Sequence, residues 1–221
     1  MTLFVVGTPI GNLEDITLRA IRVLREADWV AAENVAQTKK LLTKYEIKTP
    51  VVRIHQHSRA DELERVVGYL QQNLTVAYVS DAGTPTIADP GGRLVELARE
   101  AGAKIVPIPG PSAVTALLSV AGIPADSFMF VGFLPKKKGR QTLMKELAEL
   151  DVPIVLFESP NRLAKTLQEI QTTVGERGVI VGRELTKIYE EVISLPVGLM
   201  IKHFLAHPPK GEVVVIIKPD L

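Results

Sequence analysis

The chain lacks cysteine altogether, and its 221 residues include only four histidines. Without cysteine it can form no disulfide, no thiol nucleophile and no cysteine-ligated zinc site, and this composition suits a reducing cytoplasm. Four scattered histidines also argue against a histidine-ligated metal cluster. We therefore expect a cytoplasmic protein that works without a metal.

Long hydrophobic runs and a strong net charge are missing as well. No apolar stretch reaches the roughly 18 residues that span a bilayer, so we expect no membrane partner. The N-terminus, MTLFVVGTPIGNL, has no basic region before its apolar residues and favours a first strand over a signal peptide. Twenty-six Lys and Arg balance 25 Asp and Glu, which gives a formal net charge of +1. A polyanionic partner must therefore be held by local basic patches.

Aromatic residues make up only 5% of the chain, whereas 46% of its residues are hydrophobic, so the core is aliphatic. Such a core is typical of α/β proteins with strands rich in Val and Ile. Short apolar runs alternate with amphipathic stretches along the whole chain. The predicted strands are 3–6, 29–32, 51–54, 75–79, 104–108, 128–133, 154–157, 179–181 and 212–218, and helices 39–45 and 61–72 are among those between them. The pattern predicts two α/β domains, residues 1–121 and 122–221, with a ligand cleft between them.

One stretch, TVAYVSDAGTPTIADPGG at residues 75–92, combines a buried strand, a long polar turn and the start of a helix. In an open parallel sheet such turns lie at the carboxyl ends of strands, where ligands bind. Structural connections are usually shorter, about 2–6 residues. Two further turns rich in Gly, Pro, Ser and Thr follow other strands, at Thr8–Gly11 and Pro109–Ala113. Together the three turns predict a ligand that approaches the backbone closely.

Several common catalytic motifs are absent from these turns. Gly7–Gly11 reads G-x-x-x-G with a proline inside it, which differs from the dinucleotide fingerprint G-x-G-x-x-G. The chain contains no Gly-Lys-Ser/Thr phosphate loop and no G-x-S-x-G nucleophile elbow. The remaining possibility is a group-transfer enzyme whose reactive group arrives on a cofactor.

Six motifs follow one another along the chain: VVGTPIGNLEDIT, SDAGTPTIADPG, PIPGPSA, FVGFLPKK, ESPNRL and RELTK. In this order they resemble the tetrapyrrole methylase superfamily, the class III methyltransferases, and within it the ribosomal RNA small-subunit methyltransferase I branch. The resemblance covers essentially the whole chain. It implies an S-adenosylmethionine-dependent homodimer that methylates a 2′-hydroxyl of a decoding-centre cytidine in 16S ribosomal RNA of the small ribosomal subunit.

The resemblance also implies a set of cofactor-binding residues in the polar turns and in RELTK. They are Pro9 at the cofactor's edge, Val79, Ser80 and Asp81 around its methionine end, Gly83 and Thr84 in the same turn, Ser112 and Ala113 in PGPSA, and Leu185 on the adenine side. Turn geometry alone is the alternative explanation for Pro9 and Ala113.

The residues on the acceptor side are a weaker set. A ribose hydroxyl is a poor nucleophile, so a base or an orienting group is expected, and the sequence leaves that base unassigned. The strand-end carboxylates Glu33, Glu158 and Glu184 match the cations Arg162, Arg183 and Lys187, with mutual salt bridging as the alternative. The basic residues that could hold phosphates are Lys136, Lys137, Lys138 and Arg140, with an ordinary solvated loop as the alternative. From these, the predicted substrate-binding residues are Glu33, the three lysines, Arg140, Arg162 and Lys187.

Two motifs depart from the pattern of the family. Its members usually read A-E-D-T-R after the second strand, whereas this chain has Asn34 and Ala36 in place of the Asp and the Arg. Asn161 stands where histidine is common. Two other functions stay open: methylation of a precorrin, and a cofactor-binding, ribosome-associated protein of reduced activity. The motifs FLPKKKGR and ESPNRL favour the RNA branch, because a tetrapyrrole does not need a run of lysines.

Overall fold

The fold is described from a computed structural model, which describes residues 1–54, 60–89 and 91–219. The polar stretch at 55–58 and Pro90 of the SDAGTPTIADPG motif lie outside the described residues. Contacts divide the chain into two compact units, Met1–Ser112 and Ala113–Leu221. The sequence-based boundary at 121/122 leaves helix α5 (Ala113–Ser119) in the first domain, whereas its packing against strand β10 (Val213–Ile217) groups it with the second unit.

The first unit is built on a five-stranded parallel sheet in the order β3-β2-β4-β1-β5. Its strands are β1 (Thr2–Val6), β2 (Trp29–Ala32), β3 (Val51–Arg53), β4 (Thr75–Val79) and β5 (Lys104–Ile108). Its helices are α1 (Leu18–Glu26), α2 (Val35–Lys44), α3 (Ala60–Gln71) and α4 (Gly92–Glu100). Alternate β4 side chains enter two cores: Val79 packs with the cluster of Leu24 and Leu41, and Tyr78 with that of Leu70 and Leu94. Both faces of the sheet are therefore covered, as the apolar strand sequences predict.

Side-chain caps fix where two helices of this unit begin. The Thr17 hydroxyl accepts a hydrogen bond from the Ala20 amide at 3.0 Å. The Asn34 Oδ1 accepts from the amides of Ala36 and Gln37 at 3.1 and 3.2 Å. Helix α2 therefore starts at Val35, and the predicted start at residue 39 was wrong because an N-cap asparagine was overlooked. Aspartate caps helices equally well, so the departure from the family's Asp at position 34 preserves the cap.

The second unit is built on a mixed sheet in the order β6-β7-β10-β8-β9. Strands β6 and β7 are parallel, and the other neighbours are antiparallel. The bounds are β6 (Met129–Phe133), β7 (Ile154–Glu158), β8 (Gly178–Arg183), β9 (Glu191–Pro196), α6 (Arg140–Ala148), α7 (Pro160–Thr173) and α8 (Val197–Ala206). Leu156 and Val215 of the sheet and Leu163 and Met200 of the helices lie in one aliphatic core. The predicted α/β fold class is confirmed. No helix in the part of the chain that the structure describes is long and apolar enough to cross a membrane.

The contact between Gly7 and Gly110 generates a test of the first unit. A Cβ added at Gly110 would lie 2.8 Å from the Gly7 backbone, which cannot give way as a flexible side chain would. We expect Gly110→Ala to lower the free energy of unfolding by about 1–3 kcal/mol, measured by urea denaturation. Gly68→Ala is the matched control: it lies within α3 with nothing within 4 Å of the added Cβ, and should raise stability by up to about 1 kcal/mol. Equal stability of Gly110→Ala and the natural chain would contradict the close contact.

Candidate active site

The three polar turns meet at the edge of the first sheet where its parallel strands end. Strand β1 lies between β4 and β5, so the turns that follow these strands are neighbours. The Thr8 amide donates to the Gly83 carbonyl at 2.9 Å, and the Gly83 amide donates to the Thr8 carbonyl at 3.0 Å. Gly7 contacts Gly110 backbone to backbone, at a separation too small for any side chain on either residue. The turns that the sequence singles out therefore form one continuous backbone surface.

A small pocket lies beside these turns. It is lined by Thr8, Pro9, Leu13, Gln37, Thr38, Leu41, Val79, Ser80 and Asp81. Pro9, Val79, Ser80 and Asp81 are thus together, as the cofactor prediction requires. Thr8 and Ser80 are each only 3% exposed, whereas Asp81 is exposed. Sequence reasoning missed Gln37 and Thr38, because helix α2 begins earlier than predicted.

The other predicted cofactor residues lie at the ends of the same motifs. Gly83 is buried and Thr84 half-buried in the loop after β4. Ser112 ends the first unit, Ala113 begins helix α5 in the second, and Leu185 is buried in the turn after β8. Contact of all these residues with one ligand stays a prediction.

The loop between β4 and α4 has an unusual backbone. Thr86 and Ala88 take the left-handed region, with φ of 73° and 60°, and this conformation is costly for a β-branched residue. Gly91, with φ of 119°, closes the loop, and a Cβ there would overlap the buried Tyr78 hydroxyl. Gly91 therefore packs directly against a core side chain, at a position where only glycine fits.

Three carboxylates gather at this edge of the sheet. Ala32 pairs with Val79 in the register of β2 and β4, so Glu33 lies beside Ser80 and next to Asp81. Burial raises the pKa of Glu33, and the negative charges of Asp81 and Asp89 raise it further. Burial also raises the pKa of Asp89, opposed by a hydrogen bond from Ser80 and reinforced by Asp81. The edge therefore carries a negative potential that suits a cationic ligand.

A buried charge network lies in the second unit around Glu158, whose side chain is fully buried. Glu158 Oε1 accepts hydrogen bonds from the Ser159 amide at 2.7 Å and from Arg162 Nε at 2.8 Å. Its Oε2 accepts from Thr166 Oγ1 at 2.6 Å and from Arg162 Nη2 at 3.0 Å. All four hydrogen bonds go to the charged carboxylate, so the burial of Glu158 is compensated.

Arg140 and Arg162 extend this network to the basic loop. Arg140 donates to Glu169 Oε2 at 2.6 Å, to Thr166 Oγ1 at 2.8 Å and to the Pro135 carbonyl at 3.1 Å. Arg162 also donates to the Leu134 carbonyl at 3.2 Å. Both arginines therefore hold the loop in place, while Lys136, Lys137 and Lys138 are exposed on it.

The RELTK motif forms a second set of ion pairs. Lys187 Nζ lies 2.8 Å from Glu184 Oε1 and 3.0 Å from Glu212 Oε2, and Arg183 pairs with Glu191 at 3.0 Å. The hydrogen bond from Lys187 lowers the pKa of Glu184, and the Glu212 amide lowers it further. For Glu158 with Arg162 and for Glu184 with Lys187, the structure shows the salt bridges that the sequence left as an alternative. Their contacts with a substrate stay a prediction.

The described ranges contain no group of three or more His, Cys, Asp or Glu side chains that could hold a metal ion.

Comparison with protein families gives a match to the tetrapyrrole (corrin/porphyrin) methylases over residues 2–199. The chain belongs to this family. The superfamily resemblance drawn from the six motifs is confirmed.

Curated relatives within the family share one name. The ribosomal RNA small subunit methyltransferase I of Thermotoga maritima is 43% identical over 215 residues, which cover 97% of each chain. The protein of the same name from Halalkalibacterium halodurans is 46% identical over 193 residues, covering 87% of this chain and 67% of that one. The similarity therefore extends over both units.

Solved structures with the same fold come from other methylases of the family. The cobalt precorrin-4 methyltransferase CbiF matches with a TM-score of 0.75 at 18% identity, over 98% of this chain and 94% of that one. The methyltransferase CobJ matches with a TM-score of 0.74 at 15% identity, over 99% and 94%. At these identities the likeness shows the fold of this methylase and does not identify its substrate.

The network around Glu158 predicts a large loss of stability when its carboxylate is removed. Glu158→Ala leaves the Arg162 guanidinium and the Thr166 hydroxyl without their partner, so we expect the free energy of unfolding to fall by about 3–5 kcal/mol. The matched control is Glu96→Ala, which removes an exposed pair with Arg93 at 2.7 Å and should cost less than about 1 kcal/mol. Urea denaturation measures both. A similar small loss in the two variants would show that the buried network contributes little.

Proposed function

We propose that this protein uses S-adenosylmethionine to methylate a cytidine 2′-hydroxyl in 16S ribosomal RNA of the small ribosomal subunit. The observation that carries the proposal is the joined edge of the first sheet in a member of the methylase family. There the GTPIG turn is hydrogen-bonded to the SDAGTP turn and packs against the PGPSA turn. The relatives named ribosomal RNA small subunit methyltransferase I, 43% identical over nearly the full length, support the choice of RNA. We expect a homodimer in the cytoplasm.

The residues at this edge fit S-adenosylmethionine in charge and in shape. The cofactor has a sulfonium and an ammonium group, and the cluster of Glu33, Asp81 and Asp89 provides negative charge. Gly7 and Gly110 pack against each other through their backbones, and Gly83 exchanges two hydrogen bonds with Thr8, so the turns proposed to surround the ligand are held together. Bound there, the cofactor supplies an electrophilic methyl group. The residues proposed to hold it are Pro9, Val79, Ser80, Asp81, Gly83, Thr84, Ser112, Ala113 and Leu185.

Glu33 is the carboxylate best placed to accept the proton of the ribose hydroxyl. Glu158 and Glu184 are occupied by Arg162 and Lys187 in ion pairs. The raised pKa of Glu33 brings its basicity closer to neutral pH, where a general base is most effective. Its position after β2, beside Ser80, puts it next to the proposed methionine end of the cofactor. We therefore assign to Glu33 the role of general base.

The basic loop is the proposed contact with RNA phosphates. Lys136, Lys137 and Lys138 are exposed, and Arg140 and Arg162 fix the backbone that carries them. Because the net charge of the chain is only +1, binding of a polyanion needs such a local patch. Arg140, Arg162 and Lys187 would reach RNA only by exchanging protein partners for phosphates, so we propose a mainly positioning role for them. A precorrin substrate, the alternative left open by the sequence, leaves the lysine run without a partner.

The proposal is tested on small ribosomal subunits from a strain that lacks the gene. Incubation with the purified protein and S-adenosylmethionine should produce 2′-O-methylcytidine at one site, detected by mass mapping of the 16S RNA. Methylation of precorrin with no product on RNA would establish the tetrapyrrole alternative. Cofactor binding with no methyl transfer to either substrate would establish a protein of reduced activity.

Asp81 should contribute strongly to cofactor binding. Loss of a charge-assisted hydrogen bond costs about 1.5–3 kcal/mol, so we expect Asp81→Ala to weaken S-adenosylmethionine binding roughly tenfold to 150-fold. Isothermal titration calorimetry measures the change. Asp151→Ala, which removes an exposed aspartate in the second unit, should leave the affinity unchanged. Unchanged affinity for Asp81→Ala would remove this residue from the site.

Glu33→Gln should slow methyl transfer and stabilise the fold. Removal of a general base predicts a drop in single-turnover rate of about 10²-fold or more. The pKa of Glu33 is higher in the folded than in the unfolded chain. The free energy of unfolding therefore falls as the pH rises from the unfolded-state pKa through the folded-state pKa. Glutamine does not ionise, so the stability advantage of the variant should be absent at low pH and grow as the pH increases.

Melting temperatures measured across pH, alongside the transfer rate, test both parts of this prediction. Glu146→Gln, at an exposed position on α6, is the control and should change neither quantity. An unchanged transfer rate in Glu33→Gln would assign the base to another group.

A further inference from the structure

Strand β6 contains an irregularity that places two phenylalanines on one face. Phe130 pairs with Val155 of β7 and Phe133 pairs with Phe157, so three steps along β6 match two along β7. In a regular strand, residues three apart point to opposite faces. The extra residue of a β-bulge reverses that relation, and Gly132, with φ of 63°, supplies the left-handed conformation in the bulged segment.

The bulge creates an aromatic surface. The Phe157 ring lies 5.1 Å from Phe130 in an edge-to-face arrangement at 69°, and 5.5 Å from Phe133 at 58°. Phe133 lies on the outer face of the sheet, since this residue is 58% exposed. The next residue, Leu134, is 1% exposed and lies in the core on the opposite face. Phe157 therefore packs against both phenylalanines, and the outer one, Phe133, keeps more than half of its surface exposed to a ligand.

The basic loop begins immediately beyond this ring. Lys136, Lys137 and Lys138 are exposed, and the Cα atoms of Phe133 and Lys136 are at most about 11 Å apart along an extended chain. Arg162 and Arg140 donate to the Leu134 and Pro135 carbonyls, so the segment between the ring and the lysines is fixed. A rigid aromatic ring next to three cations is the combination that binds single-stranded nucleic acid.

We propose that Phe133 is a stacking site for an unpaired base of the RNA substrate, with Lys136, Lys137 and Lys138 on the phosphates beside that base. The inference rests on the proposed function and adds to it the way in which the RNA is gripped. Proteins read unpaired RNA by stacking its bases on aromatic side chains while cations follow the backbone. A second copy of the chain fits this surface less well, because a two-fold contact would bring two lysine runs together.

The test compares two oligomers that carry the same number of phosphates. One is a hexamer of cytidine, and the other is a hexamer of abasic tetrahydrofuran units. At one salt concentration, the natural chain should bind the cytidine hexamer roughly tenfold to a hundredfold more tightly. Phe133→Leu should remove most of this preference and leave the salt dependence unchanged, whereas Phe133→Tyr, which retains a ring, should keep it.

A triple variant, Lys136→Ala with Lys137→Ala and Lys138→Ala, separates the two parts of the site. It should weaken binding of both hexamers and reduce the slope of log affinity against log salt by up to about 2. Tyr189→Leu is the matched control: it removes another exposed aromatic residue, located between β8 and β9 at the other end of the sheet order, and should change neither quantity.

Two outcomes would overturn the stacking site. One is an unchanged preference for the cytidine hexamer in a folded Phe133→Leu, checked by circular dichroism. The other is a change from dimer to monomer in that variant by analytical ultracentrifugation, which would make the face an interface between copies. Methylation of ribosomal subunits by the natural chain is measured in parallel. If the natural chain methylates RNA and the variant keeps its preference, the stacking site alone is wrong; absence of methylation by the natural chain instead contradicts the proposed function.

Discussion

Backbone contacts join the turn after β1 to its two neighbours. Gly7 touches Gly110 in the turn after β5 so closely that neither residue can carry a side chain, and Thr8 exchanges two hydrogen bonds with Gly83 in the turn after β4. This contact requires three parallel strands to be adjacent, with β1 in the middle. It joins segments more than 70 positions apart in the chain into one surface of main-chain groups. The cofactor site proposed here depends on that surface, since Pro9, Asp81 and Ser112 are placed by the turns and not by their own side chains.

The two units place their carboxylates in opposite surroundings. In the second unit, Glu158 has a matching donor for each of its oxygens, so its charges contribute to the fold. In the first unit, Glu33, Asp81 and Asp89 are near enough for their charges to interact, and burial and this repulsion raise the pKa of Glu33 and Asp89. Like charges held together disfavour the folded state and are typical of positions kept for binding or catalysis. The contrast separates residues that hold the basic loop in place from residues that we propose contact the cofactor.

Much of the fold could be predicted from local pattern. The runs of Val and Ile marked the strands, and Gly and Pro marked the three turns that meet at the sheet edge. Helix α2 was predicted too short, because Asn34 can serve as a cap or as a loop residue and periodicity alone does not separate the two. The bulge at Gly132 and the partners of Arg140 could not be predicted, because both depend on strands and helices far apart in sequence. Motifs therefore indicated which segments matter, and packing decided what each side chain in them contacts.

Tyr78 connects the core of the first unit to the loop after β4. Its ring packs among Leu70 and Leu94 in the core, and its hydroxyl lies against Gly91 at the end of the strained loop after β4. Because the Tyr78 hydroxyl touches Gly91 directly, a change in the packing around Tyr78 would reach this end of the loop with no other residue between them. In a chain adapted to a different temperature, substitutions around Leu70 and Leu94 would therefore alter the stability of the loop that we propose binds the cofactor, although these residues lie in the core.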